Sequence, residues 1–227
     1  IYPVTDGSIY LDGGAVFGIV PRVLWEKIYP PDEKNRIQLS LHCPLVVTKK
    51  HNILIDTGIG TKHDEKFCKM YGINKKPNLL EALCRFGYQP KNIDLVINTH
   101  LHFDHAGGNT IFNENGEIVP TFPKAKYFIQ KGEMEVALNP NERTRASYVM
   151  EDFLPIGDPK YLCLVDDEVV EVDKGVFLVK IGGHTRHHQC VKIESEGQVA
   201  FFLADLVPTV AHLQYPYISG YDLFPLE

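Results

Sequence analysis

The stretch His100-Leu101-His102-Phe103-Asp104-His105-Ala106-Gly107-Gly108 decides how this chain is read. It places three imidazoles and a carboxylate within six residues. The chain holds 10 His and 14 Asp among 227 residues, so a chance H-x-H-x-D-H has a probability of roughly 5 × 10⁻⁶ per window, or about one in a thousand over the chain. Imidazole and carboxylate are ligand types that divalent metals prefer. In an extended segment His100 and His102 point to the same side and can reach one ion. Asp104 and His105 are adjacent and diverge. Four ligands this close do not easily surround one tetrahedral ion, so the spacing favours two ions sharing the loop, about 3.5–4 Å apart. Gly107 and Gly108 are expected to let the backbone turn sharply beside the metals and start a helix.

Working outward, the motif follows a short apolar run, 93–98 (IDLVIN), which reads as a buried strand. Upstream, 36–48 is rich in β-favouring residues, and 53–56 reads as a returning strand after a polar turn. A helix is predicted over 78–86. Asn78 can cap it, Glu81 holds the capping-box position, Leu79, Leu80 and Leu83 form an apolar stripe, and Gly87 ends it. Downstream, 127–130 reads as a strand and 131–138 as a helix. Two hairpins follow, 169–181 and 190–203. Their strands end at polar clusters, Gly182-Gly183-His184-Thr185 and Asp205. Loops held at strand ends are where α/β proteins build sites. His184 is therefore a further candidate ligand, and Asp205 is a carboxylate able to bridge two cations.

HLHFDHAGG, together with upstream ILIDTG (53–58), downstream GGHT (182–185) and the strand-terminal Asp205, resembles the metallo-β-lactamase superfamily of hydrolases. The match in motif order runs from about residue 36 to residue 207. It is nearest the branch that holds N-acyl-homoserine lactonases and methyl-parathion-type hydrolases, which the opening segment 13–18 (GGAVFG) also fits. The resemblance implies an α/β fold, a four-layer αββα sandwich with the site at one edge of the two sheets. His100, His102 and His184 would hold the first metal. Asp104 and His105 would hold the second, with Asp205 bridging. Asp56 would orient a ligand by hydrogen bond without touching the metal, and His188 is a further candidate for such a role. Asp104 would also serve catalysis, orienting the nucleophile and carrying a proton to the leaving group. The implied activity is dinuclear metal-dependent hydrolysis of an ester, lactone or phosphoester by a metal-bridging hydroxide. Zinc is the first choice, with manganese, iron or cobalt also suited.

The sequence departs from that branch in places. Arg186-His187 stands where Pro-Gly is usual, and Pro208 where a Tyr often assists the substrate carbonyl. The family's last ligating His lies several tens of residues beyond the bridging Asp. The only later His here is His212, so 1–227 is read as a single domain whose last ligand lies in a C-terminal segment outside this sequence. Pro208 directs the chain away from the strand end, which puts His212 near the pocket and against substrate rather than on a metal. Phe17, in an apolar patch with Val23, Leu24 and Trp25, is a second candidate substrate contact. Tyr215 and Tyr217 are candidate hydrogen-bond donors, and His187 is read as a group that supports a ligand or lies on the surface, without binding metal itself.

A net charge of −6 gives no overall basic field for nucleic acid or anionic lipid. No apolar stretch approaches the ~18–20 residues of a membrane helix. Five cysteines without paired spacing make no disulfide framework and point to a reducing, cytoplasmic setting. The expected partner is a small-molecule substrate, and a homodimer is compatible with this reading. The alternatives are a glyoxalase-II-like thioesterase, a nuclease of the same superfamily, and a non-catalytic metal-binding module that docks a protein. The first usually adds a substrate domain for which there is no room here, and the second would want a basic exosite.

Overall fold

Residues 53–55 and 95–97 are apolar at every position, and burial on both faces of a sheet is what such runs require. The computed structural model describes residues 1–214 and 217–222. In chain order the elements are β1 (Thr5–Asp12), α1 (Gly13–Phe17), α2 (Arg22–Trp25), β2 (Arg36–His42), β3 (Leu45–Val47), β4 (Asn52–Ile55), α3 (Glu65–Met70), α4 (Leu79–Arg85), β5 (Leu95–Ile97) and α5 (Phe103–Ala106). They continue with β6 (Thr110–Phe112), β7 (Ile118–Pro120), β8 (Lys126–Gln130), α6 (Lys131–Leu138), β9 (Leu162–Val165), β10 (Val169–Asp173), β11 (Val176–Lys180), β12 (Gln189–Ser195) and β13 (Gln198–Phe202). No helix among the described residues is long and apolar enough to cross a membrane.

A five-stranded sheet runs β3-β4-β5-β8-β9, and all its pairs are parallel except β3–β4. A second, antiparallel sheet runs β10-β11-β12-β13. The period-2 alternation of side chains divides each strand between two layers. Ile53, Ile55, Leu95 and Ile97 face the second sheet and pack with Val176, Leu178 and Val191. Leu54 and Val96, one residue out of phase, pack on Leu79, Ala82 and Leu83 of α4 and on Met134 and Ala137 of α6. Each such buried aliphatic side chain contributes roughly 1.5–3 kcal/mol. The helix–sheet–sheet layers of the expected sandwich are thus formed. A fourth, helical layer is not formed by the described residues, and Val169, Val199 and Phe201 lie about half exposed on the second sheet.

The helix α4 has the capping box read from the sequence: the Asn78 side chain accepts from Glu81 N, and Asn78 N donates to Glu81 Oε2. The segment 36–48 is not one β run. Residues 36–42 pair with β1 in a separate two-stranded sheet, and 45–47 join the central sheet. Pro44, which cannot donate to a ladder, stands where the chain changes sheets. A short 3₁₀ turn, Gly107–Asn109, starts at the Gly107-Gly108 pair directly after the short helix α5, so the expected turn and helix start are present. Gly107 has an ordinary helical φ, −57°. The pair also allows close approach of two backbones. A Cβ on Gly107 would meet the Ile59 carbonyl, and one on Gly108 the Thr57 carbonyl.

Buried Asp6 on β1 joins three elements, accepting from Gly60 N at 2.8 Å and from Leu79 N, at the start of α4, at 2.7 Å. Burial pushes its carboxyl from 3.8 up to about 6. A carboxyl raised on folding adds no cost below its unfolded value and an increasing cost as pH climbs to the folded one. The stability of the metal-free chain relative to Asp6→Asn should therefore fall by about 2 kcal/mol between pH 4.5 and 7. Urea denaturation of both proteins at the two pH values measures this; a difference that does not vary with pH excludes it.

Candidate metal centre

The parallel strands β4 and β5 and the antiparallel strands β11 and β13 all deliver polar residues to the same edge of the two sheets. Asp56 follows β4, and Thr99 to His105 follow β5. His184 follows β11 by way of two glycines with positive φ, and Asp205 lies in a short turn after β13. Two groups of donor atoms result, each within 4.8 Å of one another: His100, His102 and His184, and His100, His105 and Asp205. His184 Nε2 lies 3.0 Å from His102 Nδ1. Asp205 stands between the groups, with Oδ1 3.2 Å from His105 Nε2 and Oδ2 3.4 Å from His184 Nε2. Asp104 sits further out, its Oδ2 3.8 Å from His105 Nε2.

The hydrogen bonds orient the histidine rings. Thr99 Oγ1 donates to Asp56 Oδ2 at 2.8 Å, so it accepts from His100 Nδ1 at 3.1 Å. His100 Nε2 is left unprotonated, buried and without a partner. His105 Nδ1 donates to Asp56 Oδ2 at 2.9 Å, and His184 Nδ1 to Asp222 Oδ1 at 3.1 Å. In each case the other nitrogen is turned toward the cluster, the arrangement that metal-ligating imidazoles adopt. These residues fit divalent metal.

The electrostatics agree with the geometry. Burial, then the neighbouring imidazoles, hold His100 and His102 well below the usual histidine range. Burial would also lower His105, but the Asp205 and Asp104 carboxylates hold it well above. Burial would raise Asp205, but His105 and His184 hold it far below the usual carboxylate range. Asp104 is pushed up by burial, against the pull of His105. So many charged and polar groups in one buried place are costly unless a counter-ion joins them.

Other candidates fall elsewhere. His188 is fully buried, its ring 5.2 Å from that of His100, with neither nitrogen bonded. The His187 ring lies over the backbone of Gly132, where it leaves no room for a Cβ. Phe17 is in the core, stacked between Trp25 and His212, and does not line the cavity. Of the apolar N-terminal patch, Phe17 and Trp25 are buried by their stacking, whereas Val23 and Leu24 are exposed to solvent. His212 is turned inward too. Its Nε2 contacts the Val16 carbonyl at 3.0 Å, its Nδ1 meets Thr209 Oγ1 at 2.8 Å, and it does not line the cavity. Tyr217 packs on Phe17 and His212, and Tyr215 lies outside the described residues. Asp222 was not legible in the sequence: it is 38 residues from the imidazole it orients and belongs to no motif.

A cavity of about 270 Å³ opens on the cluster. Asp104, His105, His184 and Asp205 line one side, and Ile9, Leu11, Leu39 and Leu41 another. Residues 40–225 match the Metallo-beta-lactamase superfamily. The chain belongs to that superfamily. An N-acyl homoserine lactonase from Bacillus cereus is 32% identical over 172 residues, covering 71% of this chain and 61% of that protein. The match thus spans less than two thirds of the length of such relatives. A probable metal-dependent hydrolase from Staphylococcus aureus has the same fold, with a TM-score of 0.90 and 34% identity over 99% of this chain and 79% of that one. An N-acyl homoserine lactone hydrolase solved with N-hexanoyl-L-homoserine at its catalytic metal centre gives a TM-score of 0.62 at 27% identity, over 86% of this chain and 70% of that one. As a superfamily member, the chain should depend on Asp56 for the set of His105 and His100. Asp56→Asn should weaken Zn²⁺ binding by roughly 10–100-fold. Chelator competition measures this, and unchanged affinity would show that the carboxylate positions nothing.

Proposed function

We propose that this chain is a dinuclear metallo-hydrolase acting on a lactone, ester or phosphoester. The observation that carries the reading is the Asp205 carboxylate, with one oxygen toward His105 and the other toward His184. That is the placement a bridging ligand needs. His100, His102 and His184 would hold one ion, and Asp104 and His105 the other. Zinc suits the mixed His and Asp donors, as do manganese, iron and cobalt. When bound, two such ions lower the pKa of a shared water toward ~7 and polarise the bond under attack.

The chain's own groups supply the rest. Asp56 fixes His105 directly and His100 through Thr99. Asp104, which lines the cavity beside His105, is placed to take a proton from the attacking water and return it to the leaving oxygen. The apolar wall of Ile9, Leu11, Leu39 and Leu41 excludes water and accommodates the apolar body of a substrate whose polar group faces the cluster. The relatives named N-acyl homoserine lactonases place lactones first among the substrates to test.

Elemental analysis of the full-length protein, refolded with metal supplied, should give close to two divalent ions per chain. One ion or none would overturn the dinuclear reading. A screen of lactones, aryl esters, phosphotriesters and thioesters then ranks the substrates. Asp205→Ala should lose hydrolysis and one ion together, whereas His187→Ala should keep both. A His187→Ala protein as impaired as His184→Ala would show that the ligand in that segment has been misassigned.

A further inference from the structure

A single buried carboxylate, Glu133 in the first turn of α6, reaches both loops that carry the first histidine group. Its Oε1 accepts from Leu101 N at 3.0 Å and from Tyr148 OH at 3.0 Å. Its Oε2 accepts from Thr185 Oγ1 at 2.8 Å. Leu101 lies between His100 and His102, and Thr185 follows His184. The Tyr148 ring packs edge-on against His102, with centroids 5.0 Å apart. The loops belong to different sheets: one leaves β5 of the five-stranded sheet and the other leaves β11 of the four-stranded sheet. A carboxylate placed among core residues is costly and persists when its acceptor capacity is used. All three of these donors lie within one residue of a ligand or against a ligand's ring.

We infer that Glu133 is a positioning residue that holds His100, His102 and His184 in mutual register across the two sheets, and so sets the affinity of the first metal site. The inference rests on the metal reading above. Glu133 has no contact with the cavity or the reacting groups, so its effect passes through the imidazoles it locates. Removing it leaves the Leu101 N–H buried without an acceptor and frees the Thr185 hydroxyl to turn. Gln is the conservative replacement: its Oε1 can still accept from Leu101 and Tyr148, and the Thr185 hydroxyl can accept from its amide.

The test is Zn²⁺ competition with a chelator on the full-length protein, on E133A and on E133Q, with melting of each chelated protein measured alongside. E133A should weaken one of the two ions by roughly 10–100-fold and leave the other unchanged, with E133Q close to the unsubstituted protein. If E133A melts earlier but binds both ions as before, Glu133 is structural and the inference fails. If E133A does not fold, Thr185→Val and Tyr148→Phe each remove one arm and should each weaken the same single ion; unchanged affinity in both overturns the inference. An unsubstituted protein that binds no ion would instead overturn the metal reading itself, and is distinguished because it is seen before any substitution.

Discussion

The Asp56 carboxylate accepts from Thr99 N, Thr99 Oγ1 and His105 Nδ1, while its own backbone sits at φ +54°. A non-glycine residue holds that conformation only where its surroundings over-determine it, and Asp tolerates it better than most. Here the surroundings are two parallel strands. Asp56 N donates to the Ile97 carbonyl, so the strand pair β4–β5 itself aims the side chain. The pairing is in turn fixed by burial: a slip of one residue would turn Ile53, Ile55, Leu95 and Ile97 away from the second sheet. The orientation of two imidazoles therefore depends on strand register, and strand register depends on aliphatic packing several residues away.

The same carboxylate settles orientation. By accepting from His105 Nδ1 and, through Thr99, from His100 Nδ1, it turns their Nε2 atoms inward. Asp222 does this for His184 from the opposite side of the site. Buried acceptors fix these rings before any ligand arrives, a form of preorganisation.

How much of this was legible in the sequence depended on the range of each interaction. The H-x-H-x-D-H segment, the capping box at Asn78 and the strands around 93–98 are local patterns, and local patterns survive in a linear reading. The residues that converge from afar without a motif did not. Asp222 reaches His184 across 38 residues, Glu133 reaches Leu101 across 32 and Thr185 across 52, Tyr148 joins them through Glu133, and nothing in their neighbours marks them. Phe17 failed as a substrate contact for another reason. An apolar patch reads the same whether it lines a pocket or closes on itself, and only the stacking with Trp25 and His212 decides it. Gly107 and Gly108 were singled out as a helix start, which they are, but the close approach they also allow was not visible. A glycine that admits a passing backbone looks identical in sequence to one that turns.

That glycine seam divides the site into a rigid side and a soft side. Along the seam the Thr57 amide donates to the His105 carbonyl and Gly108 N to the Gly58 carbonyl, with no side chain between the two backbones. Across the cavity, residues 203–214 run through short turns with Val210 and Leu213 exposed to solvent. Elements with few buried contacts open first and tolerate change best. Mutation can therefore remodel the wall formed by Val207, Pro208, Ser219 and Tyr221 while Asp56, His100 and His105 stay in place. Such a division lets one ligand cradle pass from substrate to substrate in descent, with the chemistry inherited and the selectivity rewritten.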